Sequence, residues 1–342
     1  MDRPVVVYAS LGKRKDELLV DYARFAKKSL NARFILIASQ PRHYIDFPGE
    51  VLEYVRTDHT EHVMGQIKNA RRNLTFVANG YWFFTYERFL ALKILEGKVE
   101  SDCPVVHMEN DILSFISNQH LDIVRRIYSK TAILRWGELA NGGVLYAPSF
   151  AVLDETIEHI VRIGLSLRDI RDWALDMHVL RVMLDAELVD ELPTVNQLPK
   201  QEVLELTKNL YIDSQRVLFD GNELGSYLLG QNSVYSSGRI LKGQKAVYTK
   251  WPIENTQWRL STDNTNLRLN MKYQDEIFNV AMLHVSSKLN LIKNSNELLY
   301  NLFPLNRWFG TPNFPLEGIS VKSMHSEKIH NRLVRKFLNL FS

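Results

Sequence analysis

The feature that most limits how this chain can fold is its opening. Val5-Val6-Val7-Tyr8-Ala9-Ser10 and Phe34-Ile35-Leu36-Ile37-Ala38 are unbroken apolar runs on either side of an amphipathic segment. A strand with one face in water alternates apolar and polar residues, so continuous runs predict strands covered on both faces. Between them, within Asp16–Leu30, Leu18, Leu19, Tyr22, Phe25, Ala26 and Leu30 recur at helical spacing. Strand, helix, strand is the βαβ unit, in which the helical crossover leaves the two strands parallel. The expected fold class is therefore α/β, with a mainly parallel central sheet flanked by helices.

Further along, Val51 to Val55 and Pro104-Val105-Val106-His107-Met108 predict strands, and Tyr81 to Leu95 predicts an aromatic-rich helix. Gly142 to Tyr146 reads as a short strand, and Phe150 to Gly164 and Trp173 to Ala186 as helices. From about Leu188 the texture changes. Pro193 and Pro199 punctuate the chain, and short alternating segments such as Ala246-Val247-Tyr248 and Trp258-Arg259-Leu260 predict a smaller, β-rich lobe. The expected division is 1–190, 191–300 and a tail over 301–342, with no internal repeat or low-complexity tract.

Composition excludes several classes. With 342 residues, 45% of them hydrophobic, the chain can bury a full core, and a formal charge of +3 is too small to make nucleic acid its main partner. Cys103 is the single cysteine, so neither an internal disulfide nor a cysteine-rich zinc cluster can form, and a reducing, cytoplasmic setting is expected. The first apolar run, Val5 to Leu11, is too brief for a secretion signal, and no run approaches the roughly 18 apolar residues of a spanning helix.

The chemistry-bearing residues begin where the Pro104–Met108 strand ends, at Glu109-Asn110-Asp111. Carboxylates at the end of a buried parallel strand lie at the edge where open α/β sheets bind ligands, and they suit a hard cation such as Mg²⁺ or Mn²⁺. A solvated acidic turn has the same composition. Late in the chain, Met282-Leu283-His284-Val285-Ser286-Ser287-Lys288 delivers an imidazole, hydroxyls and an ammonium on a strand-like run. These groups can join a metal site and hold phosphate oxygens, although a lone histidine is more often a satisfied core residue.

Strand, acidic triplet, Asn141-Gly142-Gly143 strand, Asp176-led helix and late His284-x-x-Ser287-Lys288 together resemble the GT-A glycosyltransferases, particularly bacterial and viral transferases that make surface polysaccharides. The resemblance runs over roughly residues 1 to 292. It implies a mixed, mainly parallel GT-A sheet with a nucleotide-sugar-binding region over 1–190, and an acceptor-side region with the late metal-site residues over 191–300. Glu109 stands where that family's triplet has its first Asp, so the resemblance gives Asp111 to the metal and Glu109 to the metal or the donor ribose, with Asn110 beside them. His284 matches the family's late metal-binding histidine, and Lys288, preceded by Ser287 where a glycine is usual, its diphosphate-binding lysine. Asn141, Gly142 and Gly143 are similar to a strand beside the donor sugar, where small residues allow close approach of backbone to ligand. Asp176 resembles the acid facing the transferred sugar. Asp220 and Glu223, in Phe219-Asp220-Gly221-Asn222-Glu223-Leu224-Gly225-Ser226-Tyr227, join it as candidate bases should the reaction invert.

The implied activity is transfer of a sugar from a nucleotide-sugar donor to a glycan or lipid-linked acceptor, with Mn²⁺ or Mg²⁺ stabilising the leaving nucleoside diphosphate. A sugar nucleotidyltransferase and a non-catalytic carbohydrate-binding protein are the alternatives. The tail adds a separate expectation. Ile329, Leu333, Phe337 and Leu340 fall on one helical stripe beside Lys328, Arg332, Arg335 and Lys336. Such a helix either packs on its own protein or lies on an anionic leaflet, placing the chain peripherally on the inner membrane face.

Overall fold

A computed structural model describes residues 3–13, 16, 18–70, 81–136, 139–166, 175–194, 201–221, 256–263, 266–284 and 309–310. In chain order the elements begin β1 (Val5–Ser10), α1 (Leu19–Ser29), β2 (Arg33–Ala38), β3 (Glu50–Glu53), α2 (Asp58–Ala70), α3 (Tyr81–Ala91) and β4 (Val105–Met108). Then come β5 (Ile112–Ser114), α4 (Asn118–Ile127), β6 (Ala132–Trp136), β7 (Leu139–Ala147), α5 (Phe150–Ser166), α6 (Leu175–Asp185), β8 (Asp190–Leu192) and α7 (Gln201–Leu206). The remainder are β9 (Tyr211–Ile212), β10 (Gln215–Leu218), β11 (Thr256–Asp263), β12 (Asn266–Tyr273), β13 (Glu276–Val280), β14 (Met282–His284) and β15 (Phe309–Gly310).

The central sheet has seven strands in the order β3-β2-β1-β4-β7-β6-β8. β3, β2, β1 and β4 are parallel, β6 pairs parallel with β8, and β7 runs antiparallel to both β4 and β6. This is the expected mixed, mainly parallel sheet. Its continuous apolar strands follow from period-2 geometry with both faces covered. Val5, Val7, Ile35, Ile37 and Val105 belong to one core with side chains of α2, α3, α5 and α6. Val6, Tyr8, Phe34, Leu36, Val106 and Met108 belong to a second core with α1, α4 and residues of β10 and β14. Burying each such side chain contributes about 1.5–3 kcal/mol, so the sheet is anchored from both sides.

The smaller sheet, in the order β15-β11-β12-β13-β10-β9, draws its strands from residues 211–310 and is antiparallel except where β10 meets β13. The expected β-rich second region is thus present. It joins the first through a two-stranded ladder in which Met282, Leu283 and His284 of β14 pair with Ser114, Leu113 and Ile112 of β5. Among the described residues, no helix is long and apolar enough to cross a membrane. The tail helix expected over 328–342 lies outside the described residues.

Candidate active site

The parallel strands end on one edge of the sheet, and the chemistry gathers there. The Glu109 N–H donates to Gly143 O (2.8 Å), carrying the β4–β7 ladder one residue past β4. The Ile112 N–H then donates to Glu109 O (3.3 Å), closing a tight turn that leads the chain into β5. That turn holds Glu109, Asn110 and Asp111 at the strand end, and the β5–β14 register sets His284 opposite Ile112, beside Asp111.

Glu109, Asp111 and His284 consequently converge, with one ligand atom from each lying within 4.8 Å of the others. His284 Nε2 is 3.3 Å from Asp111 Oδ1 and 3.4 Å from Glu109 Oε2. The carboxylates are not sealed, at 14% and 18% exposure for the Glu109 and Asp111 side chains, whereas His284 is at 8%. Burial favours a neutral imidazole, but the charges of Asp111, Glu109 and Asp220 outweigh it and raise the His284 pKa to about 9. Burial pushes Glu109 up, against the pull of Arg88 and His284, with Asp111 and Asp176 adding to the push. Asp111 is held low because its contacts with His284 and the Arg88 charge overcome its burial.

Two oxygen donors and one imidazole nitrogen at this spacing suit a divalent cation of the Mg²⁺ or Mn²⁺ kind. Asn110, in the same turn, is hydrogen-bonded to Asp16 through its side chain, and its buried Oδ1 has no hydrogen-bond partner among the described residues. The Asn141 amide nitrogen, which donates to Gly221 O, also lies 3.3 Å from His284 Nδ1.

Around this trio the structure places the other expected residues unevenly. Asp176, in the first turn of α6, is buried, and its Oδ2 accepts a bond from the Arg88 guanidinium at 3.1 Å, while its Oδ1 has no hydrogen-bond partner among the described residues. Asp220 is wholly buried, and its Oδ2 accepts the His284 backbone N–H at 3.0 Å. Asn141 accepts the Gly143 N–H through Oδ1 (2.6 Å) and donates to Gly221 O (3.3 Å). The two glycines lie against protein side chains. A Cβ on Gly142 would lie 2.5 Å from Phe89 Cζ, and one on Gly143 would lie 3.3 Å from His284 Nδ1. Their missing side chains admit the protein's own rings to the strand. Glu223, Ser287 and Lys288 lie outside the described residues.

Sequence reasoning missed three participants. Arg88 of α3 pairs with both Glu109 and Asp176, tying the strand-end acid to the helix acid. The signal was a charged Glu87-Arg88 step inside an otherwise apolar, aromatic helix. Asp16, read as part of the first helix, instead sits in the loop after β1, where Asn110 is a hydrogen-bonding neighbour and burial, reinforced by the Asp111 charge, raises its pKa. His107 lies two residues before Arg88's partner Glu109; burial, then the Arg88 charge, lower its pKa to about 3, so it stays neutral and donates from Nδ1 to Val7 O (3.2 Å).

No protein-family model matches the sequence, and the curated proteins give no match. Solved structures are similar to part of it. Mouse xyloside xylosyltransferase 1, in its apo form, is 9% identical over 56% of this chain and 86% of that one, with a TM-score of 0.36. The apo glycosyltransferase GlyE of Streptococcus pneumoniae is 14% identical over 57% of this chain and 48% of that one, with a TM-score of 0.36. Galactosyltransferase LgtC, in complex with donor and acceptor sugar analogs, is 14% identical over 56% of this chain and 74% of that one, again at 0.36. At identities and scores this low, the functional reading rests on the chain's own residues.

Proposed function

We propose that this protein is a divalent-cation-dependent glycosyltransferase that moves a sugar from a nucleotide-sugar donor to a glycan or lipid-linked acceptor. The observation that carries the reading is the convergence of Glu109, Asp111 and His284 at the carboxyl edge of a mainly parallel sheet. Asp111, His284 and Glu109 Oε2 would hold Mn²⁺ or Mg²⁺, which supplies Lewis-acid stabilisation of the departing nucleoside diphosphate. Glu109 Oε1 is engaged by Arg88, so its second oxygen is the one turned to the cation and the imidazole.

In this reading Asp176 faces the transferred sugar. Its orphaned Oδ1 is an acceptor that a sugar hydroxyl would satisfy, which repays the cost of a buried, unpaired carboxylate oxygen. Ser287 and Lys288 add the diphosphate contacts, and Glu223 is the remaining acid on the acceptor side. Residues 1–190 form the donor region and 191–300 the acceptor side. The basic tail helix holds the protein against an anionic leaflet, where a lipid-linked acceptor is confined.

The test is a panel of nucleotide sugars incubated with Mn²⁺, Mg²⁺ or chelator, read for release of nucleoside diphosphate. Metal-dependent release with a matching glycan product supports transfer. Inorganic pyrophosphate together with a new nucleotide sugar, formed when a nucleoside triphosphate and a sugar 1-phosphate are supplied instead, indicates a nucleotidyltransferase, and donor binding without turnover indicates a carbohydrate-binding protein.

A further inference from the structure

We infer that Asp220 is a positioning residue, which fixes His284 for cation binding by accepting its backbone N–H, and is not the base that deprotonates an acceptor. This rests on the cation-dependent reading above and assigns one residue a role within it.

β10 ends at Leu218, Phe219 bridges to Thr194, and Asp220 follows with no exposure to solvent. The segment has little freedom: the Phe219 N–H donates to Pro193 O (2.9 Å), the Ala281 N–H to Leu218 O (2.7 Å), and a Cβ on Gly221 would lie 2.7 Å from Arg135 O. A general base must come within about 2.6–3.2 Å of the proton it takes, directly or through one water. A carboxylate wholly enclosed by protein, with Oδ2 already bonded to a backbone amide, meets no incoming hydroxyl.

What Asp220 does touch is informative. His284 ends the short β14, and its N–H donates to Asp220 Oδ2 at 3.0 Å. A carboxylate accepting a backbone N–H makes a charge-assisted bond, stronger than the neutral ladder bond it stands in for. The same segment reaches the imidazole a second way, because Gly221 O accepts from the Asn141 amide that lies 3.3 Å from His284 Nδ1. Gly143 then leaves the space the ring occupies. His284 is thus held by its backbone, with the Asn141 amide and Gly143 beside the Nδ1 edge of its ring, while Nε2 faces Asp111 and Glu109. Outer partners of this kind cost about 10–100-fold in metal affinity when removed.

The experiment measures Mn²⁺ affinity by calorimetry on the full-length protein without donor, alongside circular dichroism and melting curves, for wild type, Asp220→Asn, Asp220→Ala and Asp220→Ser. Alanine removes the acceptor, and serine is too short to reach the amide while keeping a polar atom in the buried site; where the alanine variant fails to fold, the serine variant gives the answer. Both are expected to bind Mn²⁺ about 10–100-fold more weakly, with turnover recovering as Mn²⁺ is raised. Asparagine keeps an acceptor oxygen in place and should stay within about threefold of wild type, the loss being that of charge assistance. A folded alanine or serine variant that binds Mn²⁺ as wild type does overturns the inference. So does an asparagine variant with wild-type Mn²⁺ affinity and no transfer at saturating Mn²⁺, which would make Asp220 the base. Wild type that binds no Mn²⁺ removes the cation reading itself, and this assignment with it.

Discussion

Cation binding at this site should be steeply pH-dependent, and His284 sets the slope. Its Nε2 faces two carboxylates at 3.3 and 3.4 Å, which lift its pKa from 6.5 to about 9 in spite of burial. A cation can take Nε2 only after the ring's extra proton has left, so binding releases that proton. Below about pH 9, each unit of acidification therefore weakens apparent affinity roughly tenfold, or about 100-fold between pH 8 and pH 6. Glu109, whose pKa burial raises, steepens the loss at the acidic end.

The same shift acts on stability with the opposite sense. In the metal-free protein a folded pKa above the unfolded value gives a contribution fully present below about pH 6.5 and lost as pH rises through about 9. Its size is on the order of 3 kcal/mol. The increase in melting temperature given by a fixed Mn²⁺ concentration should accordingly grow from about pH 6 to about pH 8.5. Calorimetry in two buffers of different ionisation enthalpy counts the protons released, and about one is expected near pH 7. His284→Gln should bind more weakly but with a much shallower pH slope. Flat Mn²⁺ affinity in wild type, or an unchanged slope in His284→Gln, would refute the reasoning.

Other outcomes follow from the same geometry. Asp111→Asn should leave the protein folded, with a melting temperature lowered near neutral pH by the lost pairing with His284, while metal-dependent turnover falls by roughly 100-fold or more, measured as nucleoside diphosphate release. Arg88→Met leaves the Glu109 and Asp176 carboxylates, at 14% and 4% exposure, without their shared cation. A loss of about 3–5 kcal/mol in denaturant unfolding is expected, partly restored by Mn²⁺, and an unshifted midpoint would contradict the pairing. Removing Lys328–Ser342 takes away Lys328, Arg332, Arg335 and Lys336. At about 1 kcal/mol per cation near an anionic surface, low-salt co-sedimentation with anionic vesicles should be lost while donor hydrolysis persists.

The sheet was legible because burial on both faces leaves a pattern that water-facing strands do not have; β1, β2 and β4 stand where their apolar runs predict. Strand direction leaves no such mark. β7 reads as one more apolar strand, and its reversal comes from the hairpin with β6, which pairs Trp136 with Leu139. The first helix starts later than its acidic first turn suggests, since Asp16 Oδ1 accepts the Leu18 N–H (3.2 Å) and holds the backbone in a local turn before Leu19. The site divides in the same way. A strand-end position makes Glu109 and Asp111 conspicuous, but their meeting with His284 depends on the β5–β14 register, between segments far apart in sequence, and no local pattern encodes that. Buried charge is harder still to read. Arg88 follows a glutamate on a helix, and Asp220 precedes a glycine, so each has the local look of a solvent-facing pair or turn. What separates them from surface residues is that each meets a complementary group from elsewhere in the chain: Asp176 for Arg88, and the His284 amide for Asp220. Because an unpaired charge in such a place costs several kcal/mol, their burial is tenable only if those distant partners are held in place. Arg88 and Asp220 therefore link the cation-site residues to the fold, and substitutions at either should change Mn²⁺ affinity without touching a ligand atom.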